Sequence, residues 1–395
     1  MYIHCLNLSD DDSTIGEVLL CSYLSNLMPF TSEPVWLQVV GPPASHKTES
    51  LRPFMDLPYT VAVSSMTPNS LLSGHRDKDD NDPSLILRLD GKNLIIKDMT
   101  TVYSMDRTSR EKIFGDMRDA FDGMCSKASG VSGLTQYRAR FGVQFAVTEI
   151  IDSSSDKMQQ LGERFLTYRT FRYPPTHDQS IEYVKHVMRV SRSKTSWQEL
   201  LRSTVAEQIE VIRKHVLNSP PPECPDEYYQ KIAEMAHCLS MFRTSPINNT
   251  PVSGEMASRV SQQLYNEGST RCASDLRRIW NEEDLSMCRR IALDTLPSQR
   301  RRVLQTLYRS ADSTPLPYTS KQLARNARST ESEIRSLMLQ YMNTNLVRPV
   351  AGYADREIRY ELDPKIREIL KRTQLFDSGP HLPGQWITNK FKPKG

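Results

Sequence analysis

The run Val39-Val40-Gly41-Pro42-Pro43-Ala44-Ser45-His46-Lys47-Thr48 decides the fold of this chain. It continues Trp36–Val40, whose β-branched and aromatic residues predict a buried strand. A Gly/Pro turn follows, and Lys47-Thr48 then opens a segment with helical character up to Met55. This order of strand, turn and helix is typical of a phosphate-binding loop, whose usual pattern is G-x-x-x-x-G-K-[ST]. His46 stands where that pattern has its second Gly.

The chemistry of such a loop gives each part a role toward ATP and Mg²⁺. Backbone N–H groups of the turn and of the helix N-terminus face the phosphates. The turn residues predicted to surround them are Gly41, Pro42, Pro43, Ala44, Ser45 and His46. Lys47 would reach the β- and γ-phosphate oxygens, and the Thr48 hydroxyl would bind Mg²⁺. The alternative is an ordinary strand–turn–helix that contains a Lys-Thr pair by chance.

Composition points to a globular protein in a reducing compartment. The 395 residues are enough for two or three domains. We find no apolar run long enough to cross a bilayer, and Met1–Ser13 is acidic rather than basic and then apolar, so neither a membrane span nor a secretory signal is predicted. The seven cysteines form no C-x-x-C pair. We therefore expect reduced thiols, no zinc and a cytoplasmic location.

The net charge of +4 is unevenly distributed. Residues 296–372 hold 15 Lys/Arg against 8 Asp/Glu, or +7, and the tail 373–395 adds +2. The rest of the chain is therefore acidic, at −5. A basic C-terminal third on an acidic body is the pattern expected when that third contacts nucleic acid. A solvated surface rich in arginine is the alternative.

Strand and helix patterns alternate in the first part of the chain, which predicts a parallel sheet of the α/β class. After the strand at 36–40, further strands are predicted at 59–64, 93–98 and 141–148. From Ile181 onward only helical patterns occur, at 181–191, 197–217, 225–243 and 253–293. These two stretches predict an α/β nucleotide-binding core at 1–180 and a helical domain at 181–295.

Beyond Leu296 the order becomes helix, helix, helix, hairpin, which is that of a winged helix-turn-helix. The helices are predicted at 300–310, 320–327 and 330–343, and the hairpin strands at 346–350 and 357–362. Thr319 or Ser320 would cap the second helix. This gives a winged-helix domain at 296–372 and a basic tail at 373–395.

Polar residues at strand ends complete the predicted ATP site. Asp98 follows Lys47 by about fifty residues and would hold Mg²⁺ at the end of a strand adjacent to the loop. Thr148, at the end of the fourth predicted strand, would contact the γ-phosphate. Met99 stands where most such ATPases have a Glu that orients the attacking water. Asp106 and Glu149 are the candidates for that role.

Two arginines are candidates for a contact across a subunit boundary, where a cation would neutralise charge developing on a neighbour's γ-phosphate. They are Arg164, which we favour, and Arg169. As isolated arginines they would more often form surface ion pairs.

With these motifs, residues 36–372 resemble an AAA+ ATPase with a helical lid and a C-terminal winged helix, and are most similar to the minichromosome maintenance helicase branch. Gly162-Glu163-Arg164-Phe165 resembles the arginine-finger box of that family. Glu255-Met256-Ala257-Ser258-Arg259 resembles the start of its lid helix, which implies that Arg259 contacts phosphate. The resemblance also implies a ring, with six subunits expected, and DNA as partner.

In that family a helix and a hairpin lie between the strand acid and the next core strand, and the hairpin presents a basic residue to DNA. Here Ile113–Phe121 would be the helix and 122–130 the hairpin. The resemblance then implies that Lys127, or less directly Arg138, contacts DNA.

In a helix-turn-helix the second helix enters the major groove. Arg328, just before the helix at 330–343, and Arg335, within it, would face DNA. In the wing, Arg356 and Arg359 would reach phosphates. Such contacts supply salt-dependent affinity more than sequence readout. A protein-docking role for the winged helix is the alternative.

The sequence thus predicts a DNA-associated, ring-forming ATPase that acts as a helicase or loader in replication of a phage or mobile element. His46 and Met99 depart from the usual pattern at positions that support turnover. They motivate two alternatives: a nucleotide-gated DNA-binding regulator with little hydrolysis, and a scaffold with a vestigial loop.

Overall fold

The fold is described from a computed structural model of the chain. The described residues are 12–73, 79, 81–129, 133–153, 164–170, 177–243, 257–309, 317–350 and 357–377.

A five-stranded parallel sheet forms the centre of the α/β part, in the order β2-β3-β6-β1-β7. Its strands are β1 (Trp36–Val40), β2 (Thr60–Val63), β3 (Asn93–Ile96), β6 (Gly142–Val147) and β7 (Leu166–Arg169). The predicted α/β class is confirmed, and the four predicted strands lie within two residues of their expected bounds. The fifth strand, β7, was not predicted.

Side chains alternate across the sheet, as the pleat of a strand requires. Leu37 and Val39 of β1 join one buried apolar cluster, which continues through the helices to Phe376 near the C-terminus. Trp36 and Val40 face the other side and join a second cluster. The sheet is therefore covered on both faces, as expected for parallel strands.

Helices and a hairpin complete the described part of residues 12–153. The helices are α1 (Ile15–Ser25), α2 (Lys47–Met55), α3 (Thr100–Tyr103), α4 (Arg107–Phe121) and α5 (Ile150–Ser153), and a 3₁₀ turn lies at Leu85–Arg88. The hairpin consists of β4 (Met124–Ser129) and β5 (Gly133–Arg138), which pair antiparallel between α4 and β6. The predicted hairpin at 122–130 is thus the first arm of a longer one.

Five α-helices follow the sheet within the described residues 177–243 and 257–295. They are α6 (His177–Val190), α7 (Lys194–Leu217), α8 (Asp226–Arg243), α9 (Ser258–Ser274) and α10 (Glu282–Thr295). The helix predicted at 253–293 is in fact two. Leu276 takes a left-handed conformation with φ 59°, and Asn281 begins α10 with a capping box, so the chain turns between them.

The described residues between 298 and 377 contain four helices and a small antiparallel sheet in the order β8-β10-β9. Its elements are α11 (Ser298–Arg309), β8 (Tyr318–Thr319), α12 (Ser320–Ala327), α13 (Glu331–Asn343), β9 (Val347–Val350), β10 (Arg359–Leu362) and α14 (Pro364–Thr373). Thr319 and Thr330 cap α12 and α13 with capping boxes. Among the described helices, none is long and apolar enough to cross a membrane.

The outer edge of β7 is covered by the end of α10. The backbone N–H of Thr167 donates to the Thr295 hydroxyl at 3.0 Å, and that of Arg169 donates to the Asp294 carboxylate at 3.0 Å. Arg290 and Arg301 also donate to Asp294, at 2.7 and 3.2 Å. The Asp294 side chain is fully buried. This carboxylate therefore both protects a sheet edge and balances buried guanidinium charge.

Replacing Asp294 by Asn should lower the free energy of unfolding by about 3–5 kcal/mol, because it leaves buried arginine charge uncompensated. Urea denaturation measures this. Glu331→Gln is the matched control, since Glu331 pairs with Arg335 at the surface, and it should cost less than about 1 kcal/mol. Equal effects of the two substitutions would contradict the role assigned to Asp294.

Candidate functional site

The turn between β1 and α2 contains two residues in the left-handed backbone region. Strand β1 ends at Val40 and helix α2 begins at Lys47. Ala44 and His46 have φ values of 62° and 61°, in the left-handed region. Glycine adopts that region without strain, which explains why the usual pattern has Gly at the position of His46. At Gly41, a Cβ atom would lie 2.0 Å from the Thr170 hydroxyl, so only glycine fits.

The Lys47 amine lies inside this turn. Its Nζ donates to the carbonyl oxygens of Gly41 at 2.8 Å and Pro42 at 2.5 Å, and approaches the Ser45 hydroxyl at 3.3 Å. Burial lowers the pKa of Lys47, and the carboxylates of Asp98 and Glu149 act in the opposite direction. The amine is thus held by three oxygen atoms of its own loop.

The ends of three strands meet beside this amine. The β1 loop, Asp98 after β3 and Thr148 after β6 all lie at the carboxyl edge of the sheet. Strand β6 lies between β1 and β3 in the sheet, and the end of β3 that carries Asp98 reaches the start of α2, where the Thr48 hydroxyl lies 3.4 Å from the Lys97 carbonyl. The Thr100 hydroxyl accepts a hydrogen bond from the Thr148 backbone N–H at 3.1 Å, which joins the ends of β3 and β6.

Thr48 and Asp98 have the chemistry needed for Mg²⁺. The Thr48 hydroxyl lies 3.4 Å from the carbonyl oxygen of Lys97, next to Asp98. One Asp98 oxygen accepts from the Thr100 N–H at 2.8 Å, and its side chain is exposed. No cluster of three or more His, Cys, Asp or Glu suited to a metal occurs in the described residues. Mg²⁺ on a nucleotide needs no such cluster, because phosphates and waters fill most of its positions.

Met99 takes no polar part in the site. Its side chain is fully buried, and its backbone N–H donates to the Ala146 carbonyl at 2.8 Å. Of the two candidates for orienting water, Asp106 is the N-cap of α4, where it accepts from the Ser109 N–H at 3.0 Å. Glu149 is exposed, directly after Thr148.

Helix α6 packs onto the loop. The Tyr183 hydroxyl donates to the Ala44 carbonyl at 2.8 Å, and the rings of Tyr183 and His46 lie 4.8 Å apart. Burial lowers the pKa of His46 to about 4, against the opposing effect of Glu49. The imidazole is therefore neutral at pH 7. The sequence contained no spacing that would have assigned Tyr183 to the site.

A cavity of about 590 Å³ adjoins the loop, between α2 and the pair of helices α6 and α7. Ala44–Thr48 line one side, and the other side is mostly apolar, with Val187, Met188 and Trp197. Met188 is 63% exposed and Trp197 is 37% exposed. From sequence alone, an amphipathic helix would be expected to bury these apolar side chains in a core. In the structure they line a cavity large enough for a small-molecule ligand.

The two arginines considered for a subunit contact are both internal. Arg164 is 7% exposed and donates to Asp122 at 3.1 Å. Arg169 is 5% exposed and donates to both oxygens of Asp152, at 2.7 and 3.0 Å. Within the single chain, Arg169 is a structural contact of β7. Arg164 would have to leave Asp122 to reach a neighbouring subunit.

Arg259 lies at the edge of the sheet opposite the loop. Its guanidinium is 5.8 Å from the centroid of the Phe121 ring, and that ring packs 5.0 Å from Trp36, the first residue of β1. The loop follows the last residue of β1, roughly 13 Å further along the strand. Arg259 therefore does not contact a phosphate bound to the loop of its own chain, contrary to the expected lid contact.

The basic residues expected at DNA differ in their surroundings. Lys127 donates to the Leu72 carbonyl, so its amine lies against the protein body. Arg328 and Arg335 are exposed, and Arg335 pairs with Glu331 at 2.7 Å. Arg359 is half-buried on β10. Arg138, the second hairpin candidate, is exposed, and Arg356 lies outside the described residues.

Part of the C-terminal charge is internal. Arg300 donates to the carbonyls of Phe242 and Arg243, Arg367 donates to that of Leu307, and Arg301 donates to Asp294. All three arginines are at most 9% exposed. The surface charge of this region is therefore smaller than the count of +7 indicated.

Comparison with protein-family models gave no match, and comparison with curated proteins gave none either. Only the geometry of the site therefore indicates a function for this protein.

The left-handed backbone of His46 can be tested with two substitutions. His46→Ala and His46→Gly both remove the ring, but only Ala retains the steric cost of a positive φ. We expect the Gly variant to be more stable by about 1 kcal/mol, measured by urea denaturation. The order would be reversed at an ordinary helical position, where Gly costs about 0.5–1 kcal/mol relative to Ala, and that result would contradict the assigned loop geometry.

Proposed function

We propose that this protein is a DNA-associated AAA+ ATPase that forms a ring, with six subunits expected, and acts in the cytoplasm as a helicase or loader in replication of a phage or mobile element. The observation that carries the proposal is the Lys47 amine, held inside a left-handed turn. It lies at the edge of the sheet where strands β3 and β6 end, followed by Asp98 and Thr148.

The cavity beside the loop supports a nucleoside triphosphate as ligand. Its polar side is the loop, which offers N–H groups and an amine to phosphates. Its apolar side offers Val187, Met188 and the Trp197 ring, which suit a flat base. A ligand with an anionic end and an aromatic end fits this division better than free phosphate does.

Each residue of the site has a distinct task in this proposal. Lys47 neutralises β- and γ-phosphate charge, while Thr48 and Asp98 hold Mg²⁺ directly or through its waters. The metal, when bound, neutralises charge that develops during phosphoryl transfer. Thr148 donates its hydroxyl toward the γ-phosphate. Tyr183 links the loop to α6. Exchange of ADP for ATP at the loop would therefore change the contacts of the helices that follow.

The C-terminal elements support a winged helix-turn-helix that contacts DNA. Helix α13 buries Ile334, Leu337 and Met338, which leaves Arg335 on its outer face. Arg328 precedes it in a left-handed turn with φ 55°. The helices 177–295 are proposed as the lid, and their last helix, α10, is joined to the sheet through Asp294.

A second function, nucleotide-gated DNA binding with little hydrolysis, is favoured by one observation. Met99 is apolar and buried where a water-orienting acid is usual. ATP binding without phosphate release would support this alternative.

Replacing Lys47 by Ala should abolish ATP binding and reduce phosphate release by about 10²–10³-fold, since it removes a cation that stabilises the transition state. Release is measured with Mg·ATP, with and without DNA, and folding is checked by circular dichroism. Lys214→Ala removes an exposed lysine of α7 and should leave the rate unchanged. Equal rates in wild type and Lys47→Ala would end the ATPase proposal.

For the winged helix, the double substitution of Arg328 and Arg335 by Ala should weaken DNA binding and make it less dependent on salt. Each lost phosphate contact reduces the slope of log K against log salt by about 0.9 for duplex DNA. Fluorescence anisotropy at several salt concentrations gives the slope. Arg107→Ala, which removes an exposed arginine of α4, is the control. An unchanged slope in the double variant would favour a protein-docking role.

A further inference from the structure

Hydrolysis of ATP requires a group that orients the attacking water and takes its proton. The residue after Asp98 does not supply one, because Met99 is apolar and fully buried. The proposed ATPase is therefore incomplete unless another carboxylate reaches the same edge of the sheet.

The sheet order places one such carboxylate between the other parts of the site. Strand β6 lies between β1, which carries the loop, and β3, which carries Asp98. The residues that follow β6 therefore emerge in the middle of the carboxyl edge. They are Thr148, fixed to Thr100 by a hydrogen bond at 3.1 Å, and then Glu149.

Glu149 is exposed and directly follows Thr148 at the carboxyl edge of the sheet. The Gly41 N–H donates to the Val147 carbonyl at 3.3 Å, so the end of β6 lies beside the start of the loop that holds the Lys47 amine. The Glu149 carbonyl accepts from the Asp152 N–H at 3.0 Å, which fixes its backbone at the start of α5. The carboxylate is thus placed by a rigid strand end while its side chain faces solvent.

We propose that Glu149 is the catalytic base of this ATPase, in the role usually filled by the residue at position 99. This inference rests on the proposed function. In the reaction, the oxygen of a water molecule bonds to the γ-phosphorus as the bond to the β,γ-bridging oxygen breaks. The electron pair of that bond leaves with ADP, and the proton of the water passes to the Glu149 carboxylate.

Asp106 does not fit this role. Its carboxylate caps α4 through the Ser109 N–H, and the short helix α3 lies between the end of β3 and this residue.

The test compares phosphate release and Mg·ATP binding in Glu149→Gln, Glu149→Asp, Asp106→Asn and Glu111→Gln. Glu111 is an exposed carboxylate paired with Arg107 on α4 and serves as a matched control. Glu149→Gln should lose about 10²–10⁴-fold in turnover and retain the wild-type dissociation constant for Mg·ATP. Glu149→Asp should keep part of the activity, and the other two should match wild type.

Three results would overturn the inference while leaving the ATPase proposal intact. They are full turnover in Glu149→Gln, a loss confined to Asp106→Asn, and a parallel loss of binding and turnover in Glu149→Gln, which would indicate a structural role. Absence of phosphate release in the wild type, with and without DNA, would overturn the ATPase proposal and the role of Glu149 together.

Discussion

The enclosure of the Lys47 amine by its own loop is the contact on which the site depends. An ammonium group that loses water must gain oxygen partners, and here the carbonyls of Gly41 and Pro42 supply them. The loop reaches this shape only because Gly41 fits against Thr170, directly after β7. Strand β7 in turn has its free edge covered by Asp294 of α10. The helices that follow the sheet therefore help to position a loop far from them in sequence.

Sheet order explains how one small region combines several kinds of chemistry. Strand β1 brings the amine, β3 brings an exposed carboxylate, and β6, between them, brings a hydroxyl and a second carboxylate. Parallel strands bring these groups together because all their carboxyl ends lie at one edge of the sheet. The hydrogen bond between Thr148 and Thr100 keeps two of these ends in register. A shift of β6 would move Thr148 and Glu149, the two polar residues that follow this strand, together.

Local patterns predicted much of this fold, and the failures have physical reasons. The strand before Gly41 and the capped helices at Thr319 and Thr330 depend on neighbouring residues, so the sequence shows them directly. Strand β7 contains Thr, Tyr and Arg and is stabilised by α10, more than a hundred residues away, which no local pattern reports. The charge count likewise treated Arg300 and Arg367 as surface residues, although backbone carbonyls hold them inside. Ion pairing and burial are tertiary properties.

The position of Arg164 and Arg259 bears on the proposed ring. Both lie by Phe121, at the amino ends of the strands, whereas the loop lies at the carboxyl ends. A triphosphate bound to Lys47 therefore gains no charge from either arginine of its own chain. A head-to-tail contact between subunits joins two different surfaces of the molecule, and only such a contact can bring this amino-end surface to another chain's loop. Arg164 is fixed to Asp122 at 3.1 Å, so in a ring of this kind it reaches a neighbouring chain only by breaking that ion pair.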